Sequence, residues 1–259
     1  MSWRYAAASV IGTSHQKVGL PCQDRFACSV RVPGWFIAAV CDGAGSAAQS
    51  EIGAETASAT ALEFIEKALN SGRATDCEAV VRDAAAAARV RLLARASEFS
   101  VAPRELACTL LVVMLGPAGG AAAQVGDGLI AAKADADGWT WIFWPQRGEY
   151  ANVTKFLSED DALDALEVSP LGPEIFECSL MTDGLEPLAL QYATRTAHSP
   201  FFEGLLAPLR SMSEVGEATE LSARLNSFLD SPRIRDRADD DLTLAIACRT
   251  RTDASPPVS

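Results

Sequence analysis

Apolar residues along this chain fall mostly into short blocks, and the blocks predict strands more often than helices. Residues 5–12 and 25–32 read as strands on either side of a polar loop, and 34–41 is an apolar strand that runs directly into Asp42. The spacing then changes. Between residues 50 and 69, Ile52, Ala57, Ala61, Leu62, Ile65 and Leu69 recur at helical intervals until Asn70-Ser71-Gly72 ends the pattern. A second helix is predicted over 77–99. Blocks at 109–115, 121–125, 129–133 and 139–144 follow as strands with short connections, Gly126-Asp127-Gly128 being one of the turns. Their succession reads as a meander, not as alternating strand and helix. Two late strands at 175–181 and 243–248 flank a helical region over 200–229. Strands and helices segregated in this way predict an α+β layered fold, with antiparallel sheet in the middle and helices outside. A domain is expected over residues 1–249, with a disordered tail at 250–259 that contains Pro256-Pro257.

The 259 residues, 49% of them apolar, are enough for one large globular domain, because single cores stop growing near ~250–300 residues. Residues 106–126 contain no charge and are long enough to raise the question of a membrane span. Gly116-Pro117-Ala118-Gly119-Gly120 interrupts them, which favours two buried strands joined by a turn. At the start of the chain, Arg4 and the short apolar run after it imitate a signal peptide poorly, so a cytoplasmic protein is expected. A formal net charge of −12 with no basic run argues against nucleic acid and against anionic lipid as partners. The seven cysteines include no C-x-x-C pair and fit reduced thiols, most of them small core residues.

The acidic residues carry the chemistry. Asp24, Asp42, Asp127, Asp183 and Asp240 each stand at or near a predicted strand end, and Asp42, Asp127 and Asp183 are each followed by glycine. One Asp-Gly pair is a tight turn with glycine at positive φ. Several strands that all end in carboxylates can converge on one acidic pocket, which repels itself unless cations fill it. Oxygen-only ligands select hard ions such as Mg²⁺ or Mn²⁺, whereas His15 and His198, the only histidines, support zinc poorly.

Gly12-Thr13-Ser14-His15 with Cys22-Gln23-Asp24, Asp42-Gly43-Ala44-Gly45-Ser46, Gly126-Asp127-Gly128, Thr182-Asp183-Gly184 and Asp240-Asp241-Leu242-Thr243, taken in order, resemble the metal-dependent protein phosphatases of the 2C type, particularly a compact bacterial branch. The resemblance spans residues 12–247. It implies an α-β-β-α sandwich of two antiparallel sheets flanked by helices, and hydrolysis of phosphoserine or phosphothreonine in a protein substrate, opposed by a serine/threonine kinase. It also implies two Mn²⁺ or Mg²⁺ ions, with Asp42 bridging both, the Gly43 carbonyl on one, and Asp183 and Asp240 on the other. Asp24 would order water from behind the ligands, and Asp127 would help Asp183 hold a third, weaker ion. Two positions depart from the family. Ala44 stands where many eukaryotic members carry a histidine proposed as general acid, and Gly19 where a phosphate-binding arginine is usual. His15 and Lys17 are the nearby candidates, and His15 is taken as the catalytic acid; its alternative is a plain loop residue, exposed or hydrogen-bonded.

Two other readings compete. Gly43-Ala44-Gly45-Ser46-Ala47-Ala48 also imitates a dinucleotide-binding turn, although the helix after it leads to Asn70-Ser71-Gly72 and a further helix instead of a second strand. A catalytically inactive phosphatase-like module that binds phosphoproteins is the other, and the full set of acidic positions argues against it.

Overall fold

The computed structural model describes residues 2–134, 138–145 and 154–249. In chain order the elements are β1 (Trp3–Val10), α1 (Thr13–Val18), β2 (Arg25–Arg31), β3 (Trp35–Cys41), α2 (Ser50–Asn70), α3 (Cys77–Phe99), β4 (Leu110–Gly116), β5 (Gly119–Val125), β6 (Leu129–Ala134) and β7 (Trp139–Trp141). They continue with β8 (Glu167–Leu171), β9 (Ile175–Met181), α4 (Glu186–Ala189), β10 (Leu190–Gln191), β11 (Thr196–Ala197), α5 (Ser199–Arg210), β12 (Gly216–Glu217), α6 (Thr219–Leu229), α7 (Pro232–Arg235) and β13 (Leu242–Arg249). The expected tail at 250–259 lies outside the described residues.

Two sheets form the centre. One runs β2-β3-β4-β5-β8 and is antiparallel throughout; the other runs β12-β1-β13-β9-β6-β7 and is antiparallel except where β12 joins β1. Alternation along each strand explains the layering. In β3, Phe36, Ala38 and Val40 point into the space between the sheets, where they meet Trp3, Leu111, Ile130 and Leu180. Ile37, Ala39 and Cys41 point the other way, toward α2 and α3. A strand covered on both faces has no polar side, so 36–41 reads as an unbroken apolar run.

The helices over the first sheet present mainly alanine. Ala54, Ala57, Ala61 and Ala68 of α2 face Ala84, Ala85, Ala88 and Ala96 of α3, and side chains this small let the two axes and the sheet approach closely. Asp76 starts α3 by accepting a hydrogen bond from Ala79 N at 3.0 Å, a cap of the kind that contributes about 1 kcal/mol. Over the second sheet, Phe202, Leu206 and Leu209 of α5 and Leu225 and Leu229 of α6 form a separate core. The result is the α-β-β-α sandwich that the resemblance implied.

Three expectations need correction. The strands at 109–144 are not one meander, since β4 and β5 belong to one sheet and β6 and β7 to the other, so the chain changes sheets at Gly126-Asp127-Gly128. The dinucleotide reading fails because β3 lies between two antiparallel neighbours and α2 leads into α3, whereas that motif needs a parallel strand after the helix. The polar loop after β1 contains the helix α1, and His15 on it is buried, not exposed.

Candidate active site

Strand register brings the acidic residues to one end of the sandwich. Arg25 pairs with Cys41, so Asp24 and Asp42 stand side by side just beyond that pair. In the other sheet Met181 pairs with both Leu244 and Leu129, which puts Asp183, the Asp240-Asp241 pair and Asp127 at the same end. The glycines after Asp42 and Asp183 are not turn residues at positive φ. They are there because neighbouring chains pass too close for a side chain. A Cβ on Gly43 would stand 2.6 Å from the Gln23 carbonyl oxygen, and one on Gly184 would stand 2.5 Å from the Asp241 carbonyl oxygen. The Asp-Gly pairs thus mark where the segment before Asp24 approaches Asp42, and where the segment after Asp240 approaches Asp183.

The electrostatics of this end are unfavourable to four free carboxylates. Burial, and then the charges of Asp24, Asp183 and Asp240, hold the Asp42 carboxyl well above the usual carboxylate range. Burial pushes Asp24 up to about 8 despite a 2.8 Å hydrogen bond from Thr182 Oγ1. Asp183 is pushed up to about 6 by burial and then by Asp127, and Asp240 is raised mainly by burial. Asp183 is among the charges that raise Asp42, so each disfavours the other's ionised form. Asp24 Oδ1 and Asp183 Oδ1 are buried without a hydrogen-bond partner among the described residues.

These observations fit divalent cations. Oxygen atoms are the only donors, Asp183 Oδ1 among them is unsatisfied, and the mutual repulsion of the carboxyls is what a cation relieves. The Asp42–Thr109 and Ala44–Ala107 backbone bonds close a bridge around Gly43, leaving the Gly43 carbonyl outside that pairing. Among the described residues no three or more His, Cys, Asp or Glu side chains are gathered closely enough to hold a metal ion by themselves. Asp127 joins the group through its charge on Asp183, and its Oδ2 accepts a hydrogen bond from Thr154 Oγ1 at 2.5 Å.

His15 is held from one side and faces the acidic turn on the other. Its Nδ1 lies 3.0 Å from Asp241 Oδ2, while Nε2 looks toward Gly45, where a Cβ would stand 3.7 Å away. Asp241 is buried and also accepts Gly12 N at 2.6 Å and Gln23 N at 2.5 Å, so it ties three segments together. Lys17 is exposed on the far side of α1, and Gly19 ends that helix at φ 72° with open space around it. Sequence reasoning missed the roles of Asp241 and Thr182, because each sits beside a ligand candidate and looks like part of its motif.

The raised carboxyl values set the sign of a stability effect. A group whose folded pKa exceeds its unfolded value stabilises the fold at low pH and loses that contribution as pH rises through the folded value. In chelator the melting temperature is therefore expected to fall as pH is raised from about 5 to about 9. Saturating Mn²⁺ should restore it by roughly 5–10 °C, since a ligand at 100 times its Kd contributes about 2.7 kcal/mol. A melting temperature in chelator that does not change with pH, and is not raised by Mn²⁺, would contradict the electrostatic account.

The two-sheet sandwich with carboxylates gathered at one end has the chemistry of a metal-assisted hydrolase. The family model described as Protein phosphatase 2C matches residues 11–230, and the chain belongs to that family. Among its relatives is Serine/threonine-protein phosphatase 3 of Escherichia coli (strain K12), 34% identical over 258 residues that cover 95% of this chain and 98% of that protein. Solved structures with the same fold include the catalytic domain of the serine/threonine protein phosphatase PstP in complex with two manganese ions (TM-score 0.66, 18% identity, covering 95% of this chain and 98% of that one). PppA of Pseudomonas aeruginosa, described as a key regulatory component of T6SS, is another (TM-score 0.62, 16% identity, 96% and 98% covered). The expectation of a serine/threonine protein phosphatase is borne out at the level of the family. No helix among the described residues is long and apolar enough to cross a membrane.

Proposed function

We propose that this chain hydrolyses phosphoserine and phosphothreonine in proteins through a two-cation centre held by Asp42, the Gly43 carbonyl, Asp183 and Asp240. The observation that carries the reading is the convergence of Asp24, Asp42, Asp183 and Asp240 at one end of the sandwich, where the charges of the other three help hold Asp42 well above the usual carboxylate range and Asp183 Oδ1 lacks a partner among the described residues. When bound, such a cation pair lowers the pKa of water and neutralises phosphoryl oxygens, so no protein nucleophile is needed. Asp42, whose carboxyl feels the charges of Asp24, Asp183 and Asp240, would be the residue shared by both cations. Asp24, fixed by Thr182 and buried behind the others, orients water and does not bind metal directly. Asp127 with Asp183 offers a third, weaker position.

His15 supplies the proton that the leaving serine or threonine oxygen needs. Its Nε2 faces the turn where Ala44 replaces the family histidine, and Asp241 Oδ2 lies 3.0 Å from its Nδ1. The implied partners are a phosphorylated protein and the kinase that opposes this enzyme, in the cytoplasm. With Mn²⁺ or Mg²⁺ the purified protein is expected to release phosphate from phosphothreonine peptides and to stop when the metal is chelated. Full turnover in chelator would refute the two-cation centre.

A further inference from the structure

A groove runs over the helical layer of the six-stranded sheet, away from the acidic residues yet built on the segments that carry them. One lobe, of about 390 Å³, lies between α4, α5 and α7, with Pro187, Leu190, Phe201 and Phe228 among its walls. A second lobe of about 370 Å³ continues between α5 and α6 and shares Phe201, Phe228 and Arg233 with the first. Each is within the size range of ligand-binding clefts.

Charge distinguishes this groove from the rest of the molecule. The chain has 34 acidic residues against 22 basic ones, yet no carboxylate lines either lobe, and Arg224, Arg233 and Arg237 do. Arg235, between the last two, is occupied by Asp230 and by the Ile11 carbonyl. Arg233 and Arg237 are exposed and have no ion-pair partner among the described residues. An apolar cleft rimmed by unpaired guanidinium groups is complementary to a segment with large apolar and acidic side chains.

Its position says which segment. Pro187 follows Asp183 by four residues, and Arg237 precedes Asp240 by three. At no more than ~3.6 Å per residue, the groove begins within about 14 Å of one ligand and about 11 Å of the other. An extended peptide covers that span in three to five residues. We infer that the groove binds the flank of the phosphoprotein substrate, and that it selects a large apolar side chain and an acidic side chain three to five residues from the phosphorylated one. This rests on the phosphatase reading and names its substrate class.

The test uses phosphothreonine peptides carrying Glu and Leu three to five residues from the phosphothreonine, on its N-terminal side in one set and its C-terminal side in the other. Matched peptides have Lys for Glu, or Ser for Leu. In Mn²⁺ the intact protein is expected to show, in one set, a KM roughly tenfold lower for the Glu/Leu peptide than for its Lys counterpart, with kcat little changed, as two exposed charge pairs allow. The double variant Arg233→Glu/Arg237→Glu should reverse that order. Equal kcat/KM for all peptides, or a reversed-charge variant that still prefers Glu, overturns the groove. Because the peptide series on the unaltered protein decides without any variant, a misfolded variant does not spare the inference. Hydrolysis of none of the peptides would instead overturn the phosphatase reading beneath it.

Discussion

Asp42→Asn is expected to lower turnover of phosphothreonine peptide and of aryl phosphate alike by more than roughly 10³-fold, while making the metal-free protein more stable. The two effects share one cause. Asp42 is half-buried beside Asp24, Asp183 and Asp240, and burial together with their charges raises its pKa, so an uncharged amide of the same shape relieves a cost that the native residue bears without metal. The amide is also a poor bridge between cations. Without them water keeps a pKa of about 15.7, where a bound metal brings it to about 7, and the reaction loses its nucleophile at neutral pH. Kinetics with both substrates and melting curves in chelator make the check. A variant that loses activity and is also less stable in chelator would mean that Asp42 acts as a structural anchor, not as a ligand kept at a cost in stability.

His15→Ala is expected to slow phosphopeptide hydrolysis by roughly 10²-fold or more, the usual scale of general acid catalysis, and to affect aryl phosphate much less. A serine or threonine alkoxide leaves poorly without a proton, whereas a phenolate leaves unaided. Asp241 Oδ2 lies 3.0 Å from Nδ1, and Nε2 is the nitrogen on the side of the Asp42-Gly43-Ala44-Gly45 turn. The measurement is the ratio of the two losses at saturating Mn²⁺. Equal losses on both substrates would assign His15 to phosphate binding or to packing of α1, and no loss on either would remove it from the chemistry.

Much of this arrangement was legible in the sequence, and what escaped did so for identifiable reasons. The helix Cys77–Phe99 and the strand Ile175–Met181 were read at their true bounds, the first a long alanine-rich run without glycine or proline and the second a short block between Pro173 and Asp183. The acidic residues at strand ends were visible, since an apolar run stopped by aspartate is a local pattern. Sheet membership was not visible: β5 and β6 are both short apolar strands on either side of Gly126-Asp127-Gly128, and nothing in either run says that they belong to different sheets. Helix α1 has only six residues, too few to show a period, and β8 carries Pro170, which a strand tolerates at the sheet edge where β8 lies. The Asp-Gly pairs were read as turns when they mark close approach between distant segments, a property that no single stretch of sequence contains.

Strand β13 has a consequence for how the molecule is made. It is the last described strand, yet it lies in the interior of the six-stranded sheet, between β1 and β9, with Trp3 opposite Arg249. The five-stranded sheet needs nothing beyond Leu171 and contains two hairpins, β2-β3 and β4-β5, so it can assemble while a ribosome is still adding residues. The other sheet must wait, with β1 unpaired on one side, until residues 242–249 emerge and close loops of more than two hundred residues. Asp240 emerges at that same moment. With Asp240 in its proposed role, a nascent or prematurely terminated chain can therefore hold half of the sandwich and still lack the last carboxylate of the centre.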